Sequence, residues 1–395
     1  MTAEHESAYG WVVVWACFTA LAVIFGVSYS FAAFFEPFAA EFGAARAEVS
    51  LVFGLSGLLY FVLGAFAGML ADRWGPARVA AAGMVCIALA LVAGSRARSM
   101  AEVTLAYGPG LGLGIALVYT PAIGCVQPWF TRRRGLAAGI ASAGIGAGTL
   151  AVPLAASAAI ALWQWRQAMW AIAAGVLVFG LTAALLLRRA PEAERRADGS
   201  VPGTPLAQAL AGRRFRWLYA ALVLGSPTMF VPFAHLSAAA RDLGVPEAQA
   251  VGLVGLIGIG SLVGRFAVGA LADRIGRPRA LVGVLASLGL SMLLWLAARE
   301  YWALAAFALW MGLSYGGSVS LMPALCMDLW GARAVSSIIG VLYTAAAFGN
   351  LGGPWLAGRV FDASGSYAGV VAACALMSAA SALAAWRAVV WAAPR

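Results

Sequence analysis

The sequence predicts an all-α polytopic membrane protein: twelve transmembrane helices in two pseudo-symmetric six-helix bundles, with both termini cytoplasmic. Three observations predict it. Hydrophobic residues make up 63% of the 395-residue chain and charged residues 11%, against roughly 45–50% and 25% in soluble globular proteins. Charges, prolines and glycine clusters divide the chain into apolar runs of about 20 residues, the length that crosses a bilayer as helix. A short charged phrase, GMLADRWGPARV at 68–79, returns as GALADRIGRPRA at 269–280, with seven of twelve positions identical at an offset of 201 residues.

The expected spans are 9–35, 49–71, 77–95, 101–126, 135–160, 166–187, 217–240, 249–271, 279–298, 301–326, 335–360 and 367–391. The first run has two acids and no Lys or Arg before it, and is too long for a signal-peptide core, so it reads as an uncleaved span. The one long polar stretch, 188–216, is rich in Pro, Gly, Arg and Glu. It suits a cytoplasmic linker between a first bundle at 1–187 and a second at 217–395.

Arginine sets the orientation. All 26 basic residues are arginine. With the N-terminus inside, 18 fall on the cytoplasmic side, seven outside, and Arg265 alone lies deep within a span. That bias is the positive-inside pattern. It accounts for the net charge of +10 without nucleic acid as a partner. Cys17, Cys86, Cys125, Cys326 and Cys374 sit in apolar segments without metal-ligand spacing, and read as reduced packing residues. No cofactor and no metal is expected, and no nucleophile–base pair suggests an enzyme.

Both copies of the repeated phrase follow the second span of a half, at the cytoplasmic face. Asp72–Arg73 and Asp273–Arg274 place an acid and a base at a helix end. Gly75 and Gly276 permit a tight turn, and Arg78 and Arg279 open the next helix. Acid–arginine pairs there would latch neighbouring helices in one conformation. The glycine pairs Gly64/Gly68, Gly144/Gly148, Gly260/Gly264 and Gly349/Gly353 read as small-residue helix packing. They are not nucleotide loops, because no strand precedes them.

The two phrases resemble the loop motif of the major facilitator superfamily, whose plan is parallel six-span repeats. Three further stretches resemble its monocarboxylate transporter branch and the related bacterial oxalate/formate-type porters. They are the span-one entry EHESAYGW, WFTRRRGLAAGIASAG at 129–144, and FGNLGGPWLAGRVFDASGSY at 348–367. The resemblance covers nearly the whole chain and implies an alternating-access carrier in the plasma membrane, here a bacterial inner membrane.

An arginine inside a span costs about 2.5–3.5 kcal/mol on insertion scales. Arg265 precedes Asp273 by eight residues, about 12 Å of helix, which puts it near the bilayer middle. No Asp or Glu lies near the middle of any span, so a carboxylate from outside the protein is its expected partner. The resemblance implies the same role. His235, six residues before Arg241 in a span that Pro227 and Pro232 should break or bend, can exchange a proton near neutral pH. The resemblance implies a substrate-facing histidine there. Tyr119 and Tyr315 offer hydroxyl donors, Ser261 shares a helix face with Arg265, and Asn350 is polar within span eleven. Ile145 and Ser28 are possible pocket walls.

Some features depart from the branch. Val254 stands where many members carry an acid, span one has no lysine, and no second basic residue lies between Ser336 and Trp355. A single midplane cation suits one carboxylate better than two. The function expected is therefore symport of a small monocarboxylate such as lactate, pyruvate or another short 2-hydroxy or 2-oxo acid. Arg265 would hold the carboxylate and His235 the proton. The alternatives are an organic anion exchanger of the oxalate/formate type and a drug efflux carrier.

Overall fold

The computed structural model describes residues 8–126, 129–130, 134–188, 203–331 and 335–391. The first half comprises α1 (Ala8–Tyr29), α2 (Phe31–Phe42), α3 (Arg46–Trp74), α4 (Pro76–Ser95), α5 (Met100–Val126), α6 (Arg134–Gly175) and, after a π-helical turn at Val176–Leu181, α7 (Thr182–Leu186). A short α8 (Leu206–Ala211) precedes the second half: α9 (Arg213–Asp242), α10 (Glu247–Ile275), α11 (Arg277–Ala297), α12 (Tyr301–Trp330), α13 (Val335–Ser364) and α14 (Ala368–Trp386).

Ten stretches are long and apolar enough to cross a membrane. One of them, Gly139–Leu186, holds two spans, because Gln164 breaks α6 with φ +67°. The break is pinned from both sides. Trp165 Nε1 donates to Glu41 Oε2 at 2.5 Å, and Arg166 Nη2 donates to the Ala97 carbonyl at 2.7 Å. A further 30-residue helix, α13, is diluted by Asn350, Arg359 and Asp362. These together make the twelve expected spans.

Two details differ from the sequence expectation. Span one does not stop at residue 35. It continues through α2 to Phe42, where Gly43 ends it in the left-handed region at φ +61°. Span seven is one continuous helix through Pro227 and Pro232; neighbouring helices in a bundle can re-satisfy the carbonyls that proline leaves free. Of the expected linker, 189–202 lie outside the described residues. Its C-terminal part rests against the end of α12, where Thr204 N donates to the Trp330 carbonyl at 2.7 Å.

The glycine pairs let helix backbones touch. A Cβ at Gly144 or Gly148 would collide with the α1 carbonyls of Phe18 and Ala22. Gly260 and Gly264 lie against the α12 backbone at Leu309 and Leu313, and Gly349 lies against Ser226 of α9. With little hydrophobic drive between helices in lipid, such close packing is what holds a bundle together. The repeated phrase folds alike in both halves. Gly75 (φ +92°) and Gly276 (φ +89°) turn the chain from α3 into α4 and from α10 into α11. Arg73, Arg78, Arg274 and Arg279 are exposed, while the Asp72 and Asp273 side chains lie outside what the structure describes.

The halves meet along α3 with α13 and α6 with α10. Gly57 of α3 lies against the Asn350 side chain, and Gly146 of α6 against Gly258 and Leu262 of α10. Among described side chains, the ion pairs that join the halves, Arg46–Asp242 and Arg241–Glu36, lie at the end the arginine bias makes the outer one. Arg277–Asp328, at the cytoplasmic end, stays within the second half. The outer side is closed.

Candidate functional site

Beneath that closed end, a cavity of about 70 Å³ lies between the halves. Tyr60, Tyr119 and Ile145 line it from the first half, and Met229, Tyr315 and Tyr343 from the second. A single water needs about 10–15 Å³ of such space, so the cavity suits a ligand of a handful of heavy atoms. Its walls are aromatic and aliphatic, with polar groups confined mostly to phenol and hydroxyl oxygens.

Arg265 sits beside this cavity rather than in its wall. The residue is 6% exposed, and its Nε and Nη2 have no hydrogen-bond partner among the described residues. The groups that reach it electrostatically are the phenols of Tyr315, Tyr119, Tyr29 and Tyr343. A buried guanidinium without an anion is an expensive arrangement. Here it faces hydroxyls from both halves. Ser261, one turn away, also has an unpartnered Oγ and is 2% exposed.

Tyr29 reaches the site through Tyr315. Its hydroxyl meets that of Tyr315 at 3.1 Å, and its ring stacks on Phe233 at 4.0 Å. Asn350 is placed elsewhere, in the α3–α13 seam against Gly57. It is 1% exposed and its Oδ1 lacks a partner. Ser28 is buried and is not a lining residue.

His235 is fully buried above the cavity and does not line it. Its Nε2 meets the Pro354 carbonyl at 2.8 Å, its Nδ1 meets the Tyr367 hydroxyl at 3.0 Å, and Phe35 lies edge-on at 5.5 Å. The Tyr367 oxygen in turn accepts from Arg46 Nη1 at 2.8 Å.

The sequence reading found Arg265, Tyr119 and Tyr315, which the fold brings together. It passed over Tyr29, Tyr60 and Tyr343. The signal was the same one that singled out Tyr119, a lone hydroxyl deep in an apolar span. It also counted Arg46 only toward the charge bias, because Asp242 is 196 residues away.

The family profile of the Major Facilitator Superfamily matches residues 16–354, and again 228–395. Monocarboxylate transporter 13 of Bos taurus is 30% identical over 365 residues, covering 92% of this chain and 85% of that protein. The chain belongs to the monocarboxylate transporter-like branch of the major facilitator superfamily. Monocarboxylate transporter 3 of Rattus norvegicus agrees, at 30% identity over 380 residues, 92% of this chain and 76% of that one. A peptide transporter crystal structure, 14% identical, superposes with a TM-score of 0.74 over 95% of this chain and 94% of its own. That likeness speaks for the fold alone. This branch member is thus a multi-pass membrane transporter and not an enzyme.

Proposed function

We propose that this transporter carries small monocarboxylates of lactate or pyruvate size, together with a proton, by alternating access. The observation that carries the reading is the buried Arg265 guanidinium, with two unpaired nitrogens beside a small tyrosine-walled cavity. Two parallel N–H donors match a carboxylate's two oxygens. Tyr119 and Tyr315 donate to the carboxylate or to the 2-hydroxy or 2-oxo group, and Ser261 supports the same face. Lining groups on both helical bundles let the site open to either side as the halves rock.

His235 carries the proton in this reading, because an imidazole nitrogen can take up and release one. Asn350 acts at the seam between α3 and α13, where the halves separate when the outer side opens. Asp72, Arg73, Arg78, Asp273, Arg274 and Arg279 latch the cytoplasmic side when that side closes. The test is uptake of labelled lactate or pyruvate in cells that express wild type or Arg265→Ala at matched membrane levels. Loss of uptake in the variant supports the assignment. Normal uptake by Arg265→Ala removes it.

A further inference from the structure

At the outer face one hydrogen-bonded chain runs through both halves. Asp242 takes Arg46 Nη1 at 2.9 Å and Nη2 at 2.7 Å. Arg46 Nη1 also donates to the Tyr367 hydroxyl at 2.8 Å. Tyr367 meets His235 Nδ1 at 3.0 Å, and His235 Nε2 meets the Pro354 carbonyl at 2.8 Å. The Asp362 carboxylate fixes the same corner by accepting the backbone amides of Arg46 and Ala47, each at 3.1 Å. The Arg46 guanidinium lies 3.9 Å from the centre of the Phe361 ring.

The donor directions follow from the groups themselves. A carbonyl oxygen only accepts, so Nε2 carries a proton. A guanidinium only donates, so the Tyr367 oxygen accepts from Arg46 and sends its own proton to Nδ1. Nδ1 must then be an unprotonated acceptor. The closed chain, with every donor matched to an acceptor, therefore favours a neutral His235 in one tautomer. Protonating Nδ1 would set two donors, Arg46 and Nδ1–H, against one phenol oxygen, and leave the phenol proton without its acceptor.

The charged groups that reach the imidazole are Arg46 and Asp362. Glu36, on the adjacent α2, is paired with Arg241 at 3.3 Å, and Asp242 is paired with Arg46. The nearest cation is thus the one already tied to Tyr367.

We infer that Arg46 and Tyr367 are positioning residues of the transport cycle, which make closure of the outer side conditional on a neutral His235. A proton taken up from outside must then leave His235 as that side closes. The Nδ1–H bond breaks, its electron pair stays on nitrogen to accept from Tyr367, and the proton passes inward to the substrate's carboxylate, which carries it from there. Outer closure and proton release become one event, which ties the direction of the proton to the direction of the gate. This rests on the reading of His235 as the proton carrier.

The test is the pH profile of labelled-lactate uptake into proteoliposomes for wild type, Tyr367→Phe, Arg46→Lys and His235→Gln. Tyr367→Phe keeps the ring against Phe361, 4.5 Å away, and removes only the hydroxyl. Without the demand for an acceptor, His235 holds its proton more tightly in the closed state. The midpoint of the profile should move to higher pH by about one unit, a tenfold change in proton affinity. Arg46→Lys loses the fork that grips Asp242 and Tyr367 together, and should move the profile the same way. His235→Gln should flatten it. A flattened profile in His235→Gln with wild-type profiles in Tyr367→Phe and Arg46→Lys would overturn the inference and leave the proton reading standing. A wild-type profile in His235→Gln would overturn both. Should Tyr367→Phe fail to reach the membrane, the Arg46→Lys profile decides by the same criterion.

Discussion

The hydroxyls of Tyr29 and Tyr315, one from each half, meet at 3.1 Å, and both phenols reach the Arg265 guanidinium electrostatically. That contact joins the two halves beside the cavity that Tyr315 lines. It also keeps two phenols close enough to turn toward a bound anion.

Removing one hydroxyl should therefore weaken substrate binding without abolishing it. A net hydrogen bond is worth about 0.5–1.5 kcal/mol, so Tyr315→Phe or Tyr119→Phe should raise KM about 3–10-fold. Measured uptake kinetics at matched membrane levels check this. An unchanged KM in both variants would take the phenols out of the site.

The outer ion pair predicts a shift in conformation. Arg46 and Asp242 form a two-pronged pair with side chains 18% and 37% exposed. At that exposure the pair is worth on the order of 1 kcal/mol, about fivefold in an equilibrium. Asp242→Asn should raise the outward-open population by about that factor. Distances between spin labels at the outer ends of α3 and α9 would report it. An unchanged distance distribution would show that the seal is held by packing alone.

Helix contact gives a stability prediction. A Cβ on Gly264 would overlap the Leu313 carbonyl, whereas Gly352 has nothing within 4 Å of that position. Gly264→Ala should cost about 1–3 kcal/mol and lower the Tm of purified protein. Gly352→Ala should be neutral or mildly stabilising, since it only removes backbone freedom from a helix. Equal effects of the two would mean that the α10–α12 contact is looser than it stands here.

Much of the architecture was legible because lipid enforces it. Every backbone polar group in a span must be satisfied within the span, so apolar length maps onto helices directly. The turns at Gly75 and Gly276 followed from a repeated glycine. The break at Gln164 falls in the gap 161–165 expected between spans five and six, although a polar residue between two tryptophans does not mark the exact position. It is fixed by Glu41, far away in sequence. Arg265 was legible because burial of an arginine is costly wherever it occurs. The offset of 201 residues also places it opposite Gly64, so it departs from the repeat. The His235–Tyr367–Arg46 chain was not, because its members belong to separate helices and each has an ordinary surface or packing reading alone. Asn350 was noticed for its polarity, yet only the fold shows that it sits in the seam rather than in the cavity.

The central claim is that Arg265 holds the carboxylate of the substrate. The most direct measurement is isothermal titration of purified wild type and Arg265→Ala with lactate and with its neutral amide, lactamide. The account predicts that lactate binds wild type, that lactamide does not, and that Arg265→Ala binds neither. Equal lactate binding by wild type and a folded Arg265→Ala would contradict it.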